Sequence, residues 1–295
     1  MTKHDFTVAV VLASANRAPL LADVLRDIRA QTLQPDHLVV SVPDTASLPP
    51  VDDLGECQVV HASGLAAQRN AGVDAVPHAD LVFFFDDDAV VRSDYLERGV
   101  EHFARNPGVV GLTGNVLCDG AAVEEIGRED ALGSLRRSEA SVVSTATKRR
   151  RRTLYGCNFA YRPAPADKIR FDDRLPLYSW LEDHDFARRL MRSGELIWAA
   201  DCVIVHRGAK SGGRQAHRRL GYSQVMNPAY LYSTGSFPLW LALWEVFRPT
   251  AKNVVQSAAG EHRVWRRERL CGNAMAARDV LARRFTPERI REIEP

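Results

Sequence analysis

The N-terminal third of the chain alternates short apolar runs with helical stripes, and this alternation restricts the fold more than any other feature. Residues 6–12 are a near-continuous apolar run rich in β-branched side chains, as expected of a strand buried on both faces. Residues 17–31 place their apolar side chains on one helical stripe. Further strand-like runs lie at 37–42, 57–61 and 80–85, with helical segments at 65–76 and 93–106. Single helices between strands predict an α/β fold around a mainly parallel central sheet flanked by helices.

The rest of the chain follows this pattern less closely. A strand-like run at residues 108–117 precedes a polar stretch, residues 119–150, whose lack of periodicity predicts a long loop. A helix is predicted at 181–193 and a strand at 195–205. From residue 221 the pattern is helical to the end of the sequence.

These elements predict one main domain followed by a helical extension, since neither an internal repeat nor a Gly/Ser-rich linker separates them. The main domain is expected at residues 1–220. Its first half is expected to end near residue 118 and its second half to cover 119–220. Residues 221–295 form the C-terminal extension.

Composition excludes some classes of protein. With 39 Lys and Arg against 37 Asp and Glu, the net charge is only +2, which argues against a nucleic-acid binder. The five cysteines are scattered without a CxxC pair, which favours a reducing, cytoplasmic location. No secretion signal is recognised, and the apolar segment at residues 237–247 is too short to span a bilayer. At most, we expect a peripheral contact with the inner face of the cell membrane.

Three phenylalanines, residues 83–85, run directly into the carboxylates Asp86, Asp87 and Asp88. Ligands bind open α/β sheets at the carboxyl ends of their strands, where this triplet is expected to lie. Adjacent carboxylates repel one another, so a cation explains their clustering, and oxygen ligands select Mg²⁺ or Mn²⁺. The alternative is a solvated turn that follows a buried strand.

A second group of acids, Glu182, Asp183 and Asp185, opens a predicted helix. Carboxylates favour helix N-termini for structural reasons alone, but one of these acids could also act as a general base. His206 follows the last predicted strand and is either structural or a ligand that completes a carboxylate metal site.

Glycine-rich phosphate motifs are missing from the sequence. Neither GxGxxG after the first strand nor GxxxxGK[ST] is present. A diphosphate would therefore have to be held by a metal and basic side chains.

Five short motifs follow one another in a recognisable order. They are residues 13–17 (ASANR), 42–45 (VPDT), 64–72 (GLAAQRNAG), 86–88 (DDD) and 182–194 (EDHDFARRLMRSG). Together they resemble the PTYNR-like, DDGS, GxxxARNxG, DxD and EDxDLxxRLxxxG motifs of family 2 glycosyltransferases, which have the GT-A fold. The resemblance extends from about residue 8 to residue 206. It implies that the first half, up to about residue 118, is a donor half and that residues 119–220 are an acceptor half.

The resemblance implies a role for each matching residue. Ala13, Asn16 and Arg17 would line the nucleotide pocket, with Asp44 on the base or ribose and Arg69 near the base or phosphates. Asp86 and Asp87 would face the nucleotide sugar, and Asp86, Asp88 and His206 would hold the metal. Asp183 would be the general base, with Glu182 beside it.

The implied reaction is the inverting transfer of a hexosyl group from a nucleoside-diphosphate sugar, UDP by default, with Mg²⁺ or Mn²⁺ as cofactor. The acceptor would be a hydroxyl of a glycan or lipid-linked glycan in polysaccharide synthesis. The alternatives are a nucleotidyltransferase that acts on sugar phosphates and a catalytically inactive module that binds nucleotide sugars.

Two surface features have more than one interpretation. The basic run at residues 148–152 fits a solvated loop, or contact with anionic headgroups or a lipid-diphosphate acceptor. The segment at residues 237–247 contains two tryptophans and fits core packing, a homodimer contact or a membrane surface.

Overall fold

A computed structural model of the chain describes residues 6–121, 124–139, 148–163, 169–211, 215–258 and 263–294. Within these ranges, one sheet contains the strands β1 (Val8–Ala13), β2 (His37–Val42), β3 (Gln58–His61), β4 (Leu81–Asp86), β5 (Ala89–Val91), β6 (Val109–Asp119), β7 (Lys148–Arg151), β8 (Asn158–Tyr161) and β9 (Glu195–His206). The helices are α1 (Ala18–Arg29), α2 (Val51–Leu54), α3 (Leu65–Asp74), α4 (Tyr95–Arg105), α5 (Arg128–Glu139), α6 (Glu182–Leu190), α7 (His217–Ser233), α8 (Leu239–Ala258) and α9 (Arg263–Leu281).

The first four strands form the parallel part of the sheet, in the order β3-β2-β1-β4. Strand β1 is apolar on both faces because it lies between two neighbours and is covered on each side, so Val10 and Leu12 are fully buried. Phe83 and Phe85 of β4 and Leu21 of α1 belong to the same core. This part of the sheet is as the sequence predicts.

The remaining strands make the sheet mixed. Strand β8 runs antiparallel to both β4 and β6, β6 runs parallel to β9, and β5 and β7 each run antiparallel to β9. The α/β class is therefore confirmed. The parallel character is confined to the pairs among the first four strands and to β6 with β9, because β8 lies between β4 and β6 and runs antiparallel to both.

The prediction of one long loop over residues 119–150 is wrong. Residues 128–139 form α5, whose apolar stripe is short: Ala131 and Leu135 are buried in a cluster with Val90, Val203 and Val205. The basic run, for which a solvated loop is one of two interpretations, forms β7 at Lys148–Arg151. Its four exposed cations are tolerated because β7 is an edge strand. Residues 122–123 and 140–147 lie outside the described part of the chain.

The chain divides into two compact units. The first comprises Met1–Ser63, Gln68–Arg170 and Phe186–Lys210, and contains the sheet. The second comprises Gly64–Ala67, Phe171–Asp185 and Ser211–Pro295, and contains α7, α8 and α9. The predicted boundary at residue 220 and the division into donor and acceptor halves stay predictions.

Helices α7, α8 and α9 pack on one another in the second unit, as the helical pattern from residue 221 predicts. Tyr222, Met226 and Ala276 are fully buried in one of its apolar clusters. The buried Asn253 of α8 donates hydrogen bonds to the side chains of Gln224 and Asn273, which fixes its polar group inside the unit. None of the described helices combines the length and apolarity required to cross a membrane.

Candidate functional site

The carboxyl ends of three strands bring acidic and imidazole side chains together in the first unit. Asp86 ends β4, Asp119 ends β6 and His206 ends β9. In the sheet register Asp119 pairs with His206, and Ala89, the first residue of β5, pairs with the same histidine. Because β5 pairs with the end of β9, the acidic triplet that joins β4 to β5 lies beside His206. This is the edge at which open α/β sheets bind ligands.

Asp86, Asp88 and His206 each offer one ligand atom to a common centre. These three atoms all lie within 4.8 Å of one another. His206 Nε2 is 3.2 Å from Asp88 Oδ1, and both side chains are buried, whereas the side chain of Asp86 is 33% exposed. The cluster therefore opens to solvent at Asp86. It consists of the three residues that the resemblance implies as metal ligands.

The opposite nitrogen of the same imidazole contacts Asp119, which sequence reasoning missed. His206 Nδ1 lies 2.8 Å from Asp119 Oδ1, and Tyr155 donates its hydroxyl hydrogen to Asp119 Oδ2 at 2.7 Å. Asp119 thus fixes the orientation of the ring that faces Asp88. Its position two residues after a predicted strand is the one signal in the sequence that could have identified it.

The charges at this cluster depend strongly on one another. Burial opposes the imidazolium form of His206, but hydrogen bonds with Asp119 and Asp88 more than offset it and raise the pKa to about 10. Burial likewise opposes ionisation of Asp119, yet its bonds with His206 and Tyr155 lower its pKa to about 2. The pKa of Asp88 is also lowered despite burial, because it accepts from His206. These pKa shifts favour an imidazolium held between two carboxylates.

Asp87, the middle acid, has a different environment from its neighbours. It is buried, accepts a hydrogen bond from Ser14 Oγ at 2.7 Å, and pairs with Arg17 Nη1 at 2.8 Å. Burial raises its pKa to about 6 in spite of the Arg17 charge. Arg17 also donates to the carbonyl of Ala209 at 3.1 Å, while the amide of Ala209 donates to Asp88 at 2.8 Å. Asp87 thus holds Arg17 beside the cluster and is not one of its three ligand candidates.

Arg69 of α3 is the cation on the other side of Asp86. Its guanidinium is 2% exposed, lies 3.2 Å from Asp86 Oδ1 and donates to the carbonyl of Gly156 at 2.7 Å. The rings of Phe84 and Phe159 lie 5.7 and 5.3 Å from its central carbon. Burial raises the pKa of Asp86, and Arg69 opposes that shift.

The loops that follow β1 and β2 contact each other through Ser47. Asp44 Oδ1 accepts from the backbone amide and the hydroxyl of Ser47, at 3.1 and 3.0 Å. The amide of Asn16, whose φ is +57°, donates to the same hydroxyl at 3.1 Å. Ala13 is paired with Asp86 in the sheet register. The predicted nucleotide residues Ala13, Asn16 and Asp44 therefore follow the carboxyl ends of neighbouring strands.

The second acidic group belongs to the second unit and lies in the first turn of α6. Glu182 and Asp185 are buried, and Asp185 accepts from Ser236 Oγ at 2.5 Å. Asp183 is half-buried and accepts from the amide of His184 at 2.8 Å. Of the three acids, Asp183 is thus the most accessible to a solute.

The segment before this group has an unusual backbone. Leu177, Ser179 and Leu181 have φ values of +61°, +54° and +72°, a region that non-glycine residues seldom adopt. The first amides of α3 bind this segment: Leu65 N donates to Leu177 O at 2.9 Å and Ala66 N to Ser179 Oγ at 3.3 Å. Such strain is typical of functional sites.

One other three-residue group in the described part of the chain has metal-ligand chemistry, formed by His102, Asp201 and Cys202. It is wholly buried, and His102 Nε2 already lies 2.7 Å from Asp201 Oδ1. Burial raises the pKa of the Cys202 thiol well above its ordinary value, which opposes the thiolate that a metal needs. We therefore interpret the contact between His102 and Asp201 as a structural hydrogen bond in the core, not as part of a metal site.

Comparisons with known proteins agree with this fold. PcManGT, a mannosyltransferase from Pyrobaculum calidifontis solved with GDP-Man and Mn²⁺, is similar over 94% of this chain and 87% of its own, at a TM-score of 0.52 and 20% identity. The 1–349 fragment of TarS from S. aureus is similar over 76% of this chain and 65% of its own, at a TM-score of 0.51 and 14% identity. The chain spans 40% of a longer TarS structure, at a TM-score of 0.49 and 15% identity over 75% of this chain. A search of curated protein sequences found no match.

The structural neighbours, at these identities, establish the GT-A fold alone. The sequence model of Glycosyl transferase family 2 matches residues 9–169, which is more than half of the chain. This match includes the acidic triplet, the contacts of Arg69 with Asp86 and Gly156, and the contact of Arg17 with Asp87. The chain therefore belongs to glycosyl transferase family 2.

Proposed function

We propose that this protein transfers a sugar from a nucleoside-diphosphate donor to an acceptor hydroxyl, with a divalent cation bound by Asp86, Asp88 and His206. The observation that carries the proposal is the convergence of these three ligand atoms within 4.8 Å at the carboxyl edge of the sheet. Repulsion between the two carboxylates is relieved by the imidazolium in the metal-free protein, and a cation would take over that role.

The ligand atoms of this proposed metal site, two carboxylates and an imidazole, favour Mn²⁺. Mg²⁺ prefers an all-oxygen environment, whereas Mn²⁺ accepts a neutral imidazole beside carboxylates. The mannosyltransferase that shares this fold was solved with Mn²⁺ and GDP-Man, which supports the same class of cofactor and donor here. When bound, the cation supplies positive charge to the departing diphosphate.

The residues around the cluster would then hold the donor. Arg17, fixed by Asp87, presents a cation beside the acidic cluster, where a diphosphate would need one in the absence of a glycine-rich loop. Asp44 and Asn16, joined through Ser47, would contact the base or ribose. A uridine nucleotide is the first donor to test and a guanosine nucleotide the second.

Asp183 is the residue that we assign as general base. It is the accessible acid of its group, and it lies in the first turn of α6, a position that favours acidic side chains. It would take the proton of the acceptor hydroxyl while that oxygen bonds to the anomeric carbon and the bond from this carbon to the diphosphate breaks. Displacement from the opposite face inverts the anomeric configuration. The acceptor would be a hydroxyl of a glycan or lipid-linked glycan.

A donor screen tests the function. Purified protein is incubated with UDP- and GDP-sugars, with Mn²⁺, Mg²⁺ or EDTA, and both thermal stabilisation and release of nucleoside diphosphate are measured. We expect one donor to raise the melting temperature only when the cation is present. Equal turnover in EDTA would remove the cation from the proposal. Release of pyrophosphate from a nucleoside triphosphate and a sugar phosphate would indicate a nucleotidyltransferase instead.

The base assignment is tested with Asp183→Asn, with Glu292→Gln as a control because that acid is exposed and remote in sequence from α6. We expect Asp183→Asn to lower turnover by roughly 10²–10⁴-fold while donor affinity is kept. The control is expected to keep both. Near-normal turnover in Asp183→Asn would show that Asp183 is not the base, and Glu182 would be the next residue to replace. Donor binding without any turnover in the wild-type protein would point to an inactive module that binds nucleotide sugars.

A further inference from the structure

Helix α8 has a wide apolar face whose side chains are more than half exposed. Its members are Trp240, Leu243, Trp244, Phe247, Val254 and Val255, and we call them the α8 apolar face. Each is between 53% and 71% exposed. Residues 240, 244, 247, 251 and 254 follow the spacing of three and four that places side chains on one side of a helix. A contiguous exposed apolar surface of this kind marks an interaction site.

The opposite side of α8 packs against the rest of the second unit. Ala242 is buried in an apolar cluster, Val246 packs on a second cluster, and Asn253 hydrogen bonds to Gln224 and Asn273. The helix is therefore anchored in its unit without any contribution from the α8 apolar face. Two tryptophans and a phenylalanine exposed on an anchored helix need a separate explanation.

The exposed charges of α8 itself are of one sign. Arg248 and Lys252 are the charged residues of α8 classed as exposed, and both are cations that border the apolar side chains on the helix. The helix has one acid, Glu245, which is mostly buried and lies 3.9 Å from His184 Nδ1. An apolar face with tryptophan, bordered by cations and free of exposed acids, complements the surface of an anionic membrane.

We infer that the α8 apolar face docks this protein on an anionic lipid surface, with α8 lying in the plane of the interface. Trp240 and Trp244 would sit at the level of the headgroups, since tryptophan favours this region. Leu243 and Phe247 would enter the boundary of the acyl chains, and Arg248 and Lys252 would contact phosphates. No described helix can cross a membrane, so the contact lies on the surface. The inference does not depend on the proposed reaction.

A second copy of the chain is the other occupant to consider, and the charges disfavour it. If two α8 helices packed through this face, the cations Arg248 and Lys252 of both copies would border the same contact without an exposed acid on α8 to pair with them. Like charges that face each other destabilise an interface. Anionic headgroups remove this conflict.

The test uses the full chain and vesicles, without donor or acceptor, so that failure of the proposed reaction does not affect it. Co-sedimentation is measured with vesicles of phosphatidylcholine alone and of phosphatidylcholine mixed with phosphatidylglycerol, at low and high salt. We expect binding to the mixed vesicles that weakens as salt rises, and much weaker binding to phosphatidylcholine alone.

Two double variants separate the apolar and the charged contributions. Trp240→Ser with Trp244→Ser is expected to reduce binding to mixed vesicles by roughly tenfold or more, because the interfacial anchors are lost. Arg248→Gln with Lys252→Gln is expected to reduce it by roughly fivefold for each cation. The matched controls are Leu281→Ser, which changes an 85% exposed apolar residue outside this face, and Arg267→Gln, which changes an exposed cation of α9.

Circular dichroism melting of each variant checks that these surface changes leave the fold intact. The proposal is overturned if wild-type protein fails to bind mixed vesicles at low salt, or if the double tryptophan variant binds as well as the Leu281→Ser control. It is also overturned if sedimentation equilibrium shows a dimer that the tryptophan variant dissociates while vesicles bind neither form. In that case the face joins two copies of the chain.

Discussion

Asp119 Oδ1 lies 2.8 Å from His206 Nδ1, so the imidazole that faces Asp88 is oriented from behind by a second carboxylate. The pairing of Asp119 with His206 in the register of β6 and β9 produces this contact directly from the sheet. Carboxylates that bind the remote nitrogen of a ligating histidine fix its orientation and raise its basicity. Asp119 is thus a positioning residue of the proposed metal site.

Replacing Asp119 should therefore weaken the metal site without removing a ligand. We expect Asp119→Ala to lower Mn²⁺ affinity by roughly 10–100-fold, and Asp119→Asn, which keeps the shape but not the charge, to lower it less. Isothermal titration with Mn²⁺ measures this. Turnover of Asp119→Ala should largely recover at saturating Mn²⁺. A variant with a purely structural defect would not recover in this way.

The control for this prediction is Asp130→Ala, which removes an exposed acid from α5. Its Mn²⁺ affinity should equal that of the wild type. Unchanged affinity in Asp119→Ala would mean that His206 does not need the second carboxylate.

The parts of the fold that the sequence predicts are those with long, simple periodicity. β1 and β4 are continuous apolar runs because both of their faces are buried. β5 has only three residues, and the apolar stripe of α5 is short, so neither gives a periodic signal. β7 consists of four cations, which an edge strand tolerates but no strand propensity predicts.

Some residues of the candidate site could likewise be predicted from the sequence, and others could not. Asp86 and Asp88 could be predicted because they follow a buried strand and match a family motif, and His206 because it follows the last predicted strand. The contacts of Asp87 with Ser14 and Arg17 depend on tertiary packing that neighbouring residues in sequence do not reveal. The strained backbone at Leu177 has no signal either, since the residue is neither glycine nor asparagine.

Metal binding should also release a proton from His206. The metal-free imidazole has a pKa of about 10, and only its neutral form can bind a cation. Protons therefore compete with the metal, and Mn²⁺ affinity should rise by about tenfold per pH unit from about pH 7 to about pH 9.

Titrations in buffers of different ionisation enthalpy count the protons released, and we expect about one per cation. His206→Gln serves as the control, because its weaker binding should lose most of this dependence on pH. An affinity that stays constant over the range would show that His206 is not a ligand, or that it is already neutral.

Gly72, the last glycine of the GxxxARNxG-like motif, is predicted to be required for packing of α3 on β1. A Cβ atom at this position would overlap the side chain of Val11, which is fully buried and β-branched and so cannot turn away. We expect Gly72→Ala to reduce the free energy of unfolding by about 1–3 kcal/mol in urea titrations.

Gly108→Ala is the matched control, because a Cβ atom there would meet nothing within 4 Å. The control should change stability by less than about 0.5 kcal/mol. Equal stability of the two variants would show that α3 can move away from β1 at little cost.

Arg69 should contribute to both stability and the site, because its buried guanidinium bonds Asp86 and the carbonyl of Gly156 at the same time. Arg69→Met leaves both acceptors without this donor, and we expect it to lower the free energy of unfolding by about 2–3 kcal/mol. Arg69→Lys should be intermediate in stability, since an ammonium cannot reproduce the planar fork that lies over Phe84 and Phe159.

The matched control is Arg170→Met, which removes an arginine that pairs with Asp74 on the exposed surface. Exposed ion pairs contribute about 0–1 kcal/mol, so this variant should unfold close to the wild type in urea. Donor and Mn²⁺ binding are measured in parallel. Both should weaken in Arg69→Met, because Asp86 loses its neighbouring cation and its carboxylate is no longer held. If Arg69→Met unfolds like Arg170→Met, then the buried guanidinium is not what holds Asp86 in place.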